Sequence, residues 1–186
     1  MKHVLIITGQ LASLKTTIAK RLATDLKALL LCKDDLKEAL AKSIKTKTRE
    51  ENKTLSQATF NIMHEVLKKS LIHNHPVIVE GNFKADEYNL LKDSLNHMDI
   101  TMITLYLHGN IDELYSRYLN REKSRHDTHK SIGTMNKSTF SESMDYYEGV
   151  YGTLKSIMKI DTTVFKEDDY QALKKQLKET YGLKIF

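Results

Sequence analysis

An apolar run cut short by a glycine, followed within a few residues by a lysine–threonine pair and a helical stripe, constrains this chain more than any other feature. Val4-Leu5-Ile6-Ile7 is unbroken, so the run predicts a strand buried on both faces rather than one with a wet side. Thr8-Gly9 stops it. From Thr16 onward apolar residues fall at Ile18, Ala19, Leu22, Ala23 and Leu26, the stripe of an amphipathic helix. A buried strand joined to a helix by a short turn is the opening unit of a parallel α/β sheet.

The turn itself reads Gly9-Gln10-Leu11-Ala12-Ser13-Leu14-Lys15-Thr16-Thr17. Between a strand and a helix, glycine, four residues, glycine, lysine and then serine or threonine is the Walker A phosphate loop. Every element matches except Leu14, which stands where the second glycine belongs. In such a loop the backbone N–H groups and the helix N-terminus form a concave donor nest for a β-phosphate. Lys15 would bridge the β- and γ-oxygens and the Thr16 hydroxyl would ligate Mg²⁺. Gly9, Ala12, Ser13, Leu14, Lys15, Thr16 and Thr17 are therefore the nucleotide-binding candidates, with ATP and Mg²⁺ as the expected ligands. A plain strand–turn–helix with a lysine at the helix start is the alternative. A leucine forced into an unusual dihedral here would be strained by about 1–3 kcal/mol, and its side chain must point away from the phosphates.

Further along, Leu29–Cys32 and Val77–Glu80 read as short strands, the second opened by Pro76 and closed by Gly81-Asn82. Ile100–Leu107 makes a fourth strand and Ile157–Ile160 a fifth. Helical patterns lie between: one to about Ser43, a long one through Phe60, Met63, Val66, Leu67 and Leu71, and one over Tyr88–Leu95. Others run from Asp112 to about Arg125, through Phe140, Met144, Tyr147 and Val150, and from about Asp168 to Tyr181. Strands alternating with helices predict parallel pairing with right-handed crossovers. The expectation is one domain, 1–186: a three-layer α/β sandwich with a five-stranded parallel sheet and a helical lid at about 117–136. Ligands of such sheets sit beyond the carboxyl ends of the strands, so the strand-terminal residues are the ones to weigh.

Asp34 and Asp35 follow the second strand. A carboxylate there can take an acceptor hydroxyl's proton, or it can simply cap the next helix. Glu80 ends the third strand, where an acid holds Mg²⁺ through water or orients the acceptor; Gly81 permits close backbone approach and Asn82 can bond a substrate. Arg117, Arg121 and Arg125 recur every four residues, on nearly one helical face. Like charges so placed repel unless an anion lies between them, and guanidinium forks suit the charge that develops in phosphoryl transfer. The alternative is a solvated face partly neutralised by Glu113 and Glu122. His126, Asp127, Thr128 and His129 then suit a lid.

Composition narrows the class. Of 186 residues 28% are charged, and 29 basic side chains against 24 acidic ones leave a formal net charge of +5, which suits phosphate-bearing ligands. A single cysteine, Cys32, rules out an internal disulfide framework, and no apolar stretch is long enough to cross a bilayer. A cytoplasmic protein is expected, with no membrane partner. His73 and His75 read as the polar end of a helix before Pro76, and His126 and His129 lack nearby cysteine or paired carboxylates at ligand spacing, which speaks against zinc. Lys42, Lys45, Lys47 and Arg49 read as a solvated helix end. Tyr146, Tyr147 and Tyr151 either line an acceptor pocket or pack.

Taken with Lys33-Asp34-Asp35-Leu36-Lys37, Val79-Glu80-Gly81-Asn82, the arginine stripe and Ile160-Asp161-Thr162-Thr163, the phosphate loop resembles that of P-loop kinases of the polynucleotide kinase, zeta-toxin and chloramphenicol phosphotransferase type. The resemblance spans most of the chain. It implies an ATP-dependent kinase acting on a hydroxyl of a small-molecule or nucleotide acceptor, with Asp34 as general base. Lys37 would stand where an acceptor-phosphate arginine occurs, and Glu80 and Asn82 would lie on the substrate side. Lys15, Arg117, Arg121 and Arg125 would stabilise the transferred group, with Arg121 also on the nucleotide. Asp161, Thr162 and Thr163 would form the adenine-side loop. Lysine lacks the planar fork of arginine, so Lys37 speaks against a polynucleotide 5′-hydroxyl acceptor. That activity and a non-catalytic nucleotide-binding regulator remain the alternatives.

Overall fold

The computed structural model describes residues 2–73, 76–96, 98, 100–123 and 133–184. Five strands, β1 (Lys2–Gly9), β2 (Leu29–Cys32), β3 (Val77–Glu80), β4 (Ile100–His108) and β5 (Met158–Asp161), form one sheet in the order β2-β3-β1-β4-β5. All four pairings are parallel. The expected five-stranded parallel sheet flanked by helices is therefore present.

Alternation along β1 assigns the two faces. Val4 and Ile6, with Val77 and Val79, pack under α3 (Arg49–Ser70) and α4 (Ala85–Asn96) through Phe60, Met63, Leu67, Tyr88, Leu91 and Leu95. Leu5 and Ile7, with Ile78 and Leu105, pack under α1 (Lys15–Leu26) and α7 (Glu167–Tyr181) through Ile18, Leu22, Tyr170, Leu173 and Leu177. A third, smaller cluster joins α5 (Ile111–Glu122) to α6 (Lys137–Tyr147) through Leu114, Tyr118, Phe140 and Met144, and Ala12 of the loop after β1 packs into it. Among the described residues no helix is long and apolar enough to cross a membrane.

Three of the boundaries that differ from expectation bear on the site. Helix α2 (Lys33–Ala41) begins immediately after β2, so Asp34 and Asp35 fall inside its first turn, where their charge complements the helix dipole. Cys32 takes the N-cap position with no side-chain cap bond, so neither aspartate caps the helix. The helix through Phe140 does not run on to Val150 as α-helix: α6 ends at Tyr147 and Glu148–Gly152 continue as a π turn. Helix α5 ends at Glu122, short of Arg125.

Candidate functional site

Everything expected of the phosphate loop depends on how the chain leaves β1. Gly9 has φ 140°, and the Gln10 N–H donates to the Leu107 carbonyl at 2.9 Å, so the loop starts pinned to the end of β4. On the other side the Asn82 side chain donates to the Gly9 carbonyl at 3.2 Å, and the Gln10 side-chain oxygen accepts from the Gly109 N–H at 3.0 Å. Beyond this anchor Ala12 and Leu14 are left-handed, at φ 57° and 61°, whereas Leu11 and Ser13 are not. That alternation turns successive N–H groups toward one side and makes a concave donor nest.

Leu14 thus adopts the conformation for which a glycine would be preferred, at a cost of about 1–3 kcal/mol. Its side chain packs against the cluster under α1 and α7, which offsets part of that cost and directs the side chain into the core. Leu14 is also the N-cap of α1 and makes no side-chain cap bond, so the cap of this helix end is not its own side chain.

Lys15 is buried, and its ammonium donates to the Gln10 carbonyl at 2.5 Å and lies 3.5 Å from Ser13 Oγ. Ser13 Oγ donates to the same carbonyl at 2.7 Å. A buried ammonium held by loop oxygens sits where an anion entering the nest would meet it. Facing Lys15 is Glu80, 3% exposed at the end of β3. Burial pushes its carboxyl up; the hydrogen bond from Cys32, the Lys15 charge and the Thr16 hydroxyl pull it down, while the Asp34 charge adds to the upward push. Cys32 Sγ donates to Glu80 Oε2 at 2.8 Å, and burial together with that carboxylate pushes the thiol far up, so it stays protonated. A carboxylate beside a lysine, a threonine hydroxyl and a phosphate nest is a donor set that fits Mg²⁺: hard oxygen ligands with phosphate to complete the shell.

On the α3–α4 side of the sheet the site continues into polar residues that the sequence reading left open or passed over. Tyr147 of α6 is mostly buried; desolvation pushes its phenol up to about 12, a hydrogen bond to Asn82 pulls down, and Tyr146, Glu87 and Asp34 push up. Asp34 itself is exposed, close enough to influence both Glu80 and Tyr147. Asp35 pairs instead with Lys20 at 3.7 Å. Lys33 reaches Glu87 at 2.5 Å in a largely buried ion pair. Tyr106 of β4 donates to Glu148 Oε2 at 2.9 Å, and Tyr151 donates to the Phe83 carbonyl at 2.9 Å, so these tyrosines pack and anchor.

The arginine stripe divides. Arg117 directs its fork to the Thr162 and Thr163 carbonyls, both at 2.7 Å, while Nε donates to Glu113 at 3.1 Å. It clamps the loop after β5, a destination in the fold that sequence reading did not anticipate. In that loop Asp161 accepts from the Thr163 amide at 2.8 Å and hydroxyl at 2.6 Å, which hold its carboxyl below the usual range. Thr162 is fully buried, its hydroxyl donating to the His108 carbonyl at 2.8 Å, and Thr163 Oγ1 accepts from the Asn110 N–H at 2.8 Å. Arg121 is exposed in the last turn of α5. Lys37 lies half-buried on α2. Residues 124–132 of the expected lid, Arg125, His126, Asp127, Thr128 and His129 among them, lie outside the described residues, as does His75. Among the described residues no cluster of histidine, cysteine and acid could hold a metal by itself.

This parallel sheet, with its phosphate loop between β1 and α1, is the α/β fold of P-loop kinases. The chain belongs to the AAA-domain family, whose profile matches residues 4–143. Among solved structures it is similar to a provisionally assigned kinase of Chloroflexus aurantiacus j-10-fl, at 23% identity and TM-score 0.78, over 96% of this chain and 97% of that one. It is also similar to the Deinococcus radiodurans tunicamycin resistance protein, at 16% identity and TM-score 0.68, over 100% and 98%. A shikimate kinase from Bacteroides thetaiotaomicron matches at 15% identity and TM-score 0.59, over 98% and 99%. No curated protein matches.

Proposed function

We propose that the protein is an ATP-dependent phosphotransferase that moves the γ-phosphoryl group to a hydroxyl of a small-molecule or nucleotide acceptor. The observation that carries this reading is the loop itself. Two left-handed residues, Ala12 and Leu14, shape a donor nest at the start of α1, with the buried Lys15 ammonium beside it. Kinases of small molecules occur on this fold, the shikimate kinase among them.

Each residue has one task in this reading. The nest holds the β-phosphate, and Lys15 leaves the Gln10 carbonyl to neutralise charge on the β- and γ-oxygens. Thr16 and Glu80 would hold Mg²⁺, Glu80 through water; when bound, the ion draws charge from the phosphate oxygens. Asp34 accepts the acceptor hydroxyl's proton as that oxygen bonds to the γ-phosphorus and the bond to the β–γ bridging oxygen breaks, leaving ADP. Asn82 keeps the loop entrance in place, and Tyr147, neutral at physiological pH, can hydrogen-bond the acceptor beside Asp34. Arg121 would help balance charge from the lid side, and the loop at Asp161–Thr163, clamped by Arg117, would border the base. A cytoplasmic location suits an enzyme that draws on ATP.

Lys15→Ala supplies the test. ATP with Mg²⁺ should raise the melting temperature of the wild type, and labelled phosphate should pass from γ-labelled ATP to a component of a metabolite extract. The variant should fold and lose both effects. A wild type that shows neither sinks the reading; stabilisation without transfer to any acceptor favours the regulatory alternative.

A further inference from the structure

Cys32 is an unusual neighbour for the acid that ends β3. Strands β2 and β3 pair in register with Cys32 opposite Glu80, so both side chains emerge on the α1 face at the carboxyl end of the sheet. Both are 3% exposed, and Sγ lies 2.8 Å from Oε2. A buried carboxylate must have its lone pairs met, and a group that takes one oxygen also fixes the plane of the other. Glu80 interacts besides with Lys15 and Thr16, the first two residues of α1.

We infer that Cys32 is a positioning residue: its thiol holds Glu80 Oε2 against β2, so that the carboxylate is presented toward Thr16 and the hydration shell of the metal. This rests on the role given to Glu80 under the proposed function. The chemistry of the contact suits the task. A thiol is a weak donor that leaves the carboxylate its negative charge and basicity toward a cation, whereas lysine or arginine at this place would neutralise it.

The experiment compares Cys32→Ser, Cys32→Ala and Glu80→Gln with the wild type. It uses Mn²⁺ binding to the ADP complex, read by electron paramagnetic resonance, alongside urea unfolding. The expected result is that Cys32→Ala weakens Mn²⁺ binding about tenfold, the loss typical of an outer-shell partner, with ADP affinity measured without metal unchanged. Cys32→Ser, which keeps a donor, should stay within about threefold of the wild type even if its stability falls as far as that of the alanine variant. A packing role would instead make Mn²⁺ affinity indifferent to both substitutions, or reduce it equally in both; either result overturns the inference. If Cys32→Ala does not fold, Cys32→Val, which keeps the bulk and removes the donor, takes its place: valine must weaken Mn²⁺ binding about tenfold while serine retains it, and any other pattern overturns the inference. A folded wild type that binds no Mn²⁺ with ADP overturns the proposed function too, whereas a binding wild type with indifferent variants overturns this inference alone.

Discussion

Gly9 lies so close to Leu107 that a Cβ at Gly9 would meet the Leu107 carbonyl oxygen at 2.0 Å. With φ at 140° the same position also disfavours any side chain on conformational grounds. Gly9→Ala therefore has to push β1 and β4 apart or move the start of the loop. The expected cost is about 2–4 kcal/mol by urea unfolding, with loss of ATP-induced stabilisation. An alanine variant of wild-type stability would contradict the close approach.

Leu14 offers a second test, of conformation rather than contact. Alanine ordinarily resists unfolding better than glycine. At a left-handed position the order reverses, because only glycine escapes the steric cost. Leu14→Ala should lose the packing of a half-buried leucine and keep the strain, while Leu14→Gly loses the packing and sheds the strain. Glycine should therefore be the more stable of the two by about 1 kcal/mol. The opposite order would mean that the loop in solution is not bent as described.

The fork of Arg117 makes a third. Removing it strips the Thr162 and Thr163 carbonyls of their donors, and Thr162 is fully buried. Arg117→Ala should cost about 1–3 kcal/mol and raise the KM for ATP more than it lowers kcat. Arg117→Lys should recover only part, since an ammonium cannot meet two carbonyls as a planar fork does. A collapse of kcat at unchanged stability would place this side chain on the phosphates instead.

Asp25 of α1 links pH to stability. It accepts from Tyr170 at 2.9 Å and pairs with Lys174 at 2.7 Å, joining α1 to α7. The Lys174 hydrogen bond, helped by Tyr170 and Arg21, holds the carboxyl below its ordinary value. A carboxyl whose pKa is lower folded than unfolded adds stability above the unfolded value and surrenders it as pH falls through the folded one. Discounted for its partial exposure, the contribution is about 0.5–1 kcal/mol. Asp25→Asn should be less stable than the wild type by that amount at pH 7, with the gap closing toward pH 3 and narrowing in high salt.

How much of this was legible in the chain depended on whether a feature is local. Leu29–Cys32 and Val77–Glu80 were bounded to the residue, because each is an apolar run closed by charge or by glycine. The loop after β1 was legible for the same reason. Thr48 and Glu51 cap α3 reciprocally, and their spacing is a start signal for that helix present in the sequence. Asp34 and Asp35 looked like residues ahead of a helix and turned out to lie inside one, since acids are equally at home in a first turn. The destination of Arg117 was hidden, because its partners lie 45 and 46 residues away on another loop. Cys32 and Glu80 could be matched only once β2 was known to neighbour β3, an order that helical crossovers leave open.

Strand β1 is bonded along both edges, to β3 from Val4 to Ile7 and to β4 from Lys2 to Gly9. The loop it carries is consequently mounted on a strand held by backbone bonds on both sides, whereas Asp34 and Tyr147 lie on helices, α2 and α6. Under the proposed function variation would be partitioned: α2 and α6 could change to admit a different acceptor while the central parallel sheet stays untouched. Anyone wishing to redirect the protein toward a new acceptor should randomise those two helices and leave the sheet alone.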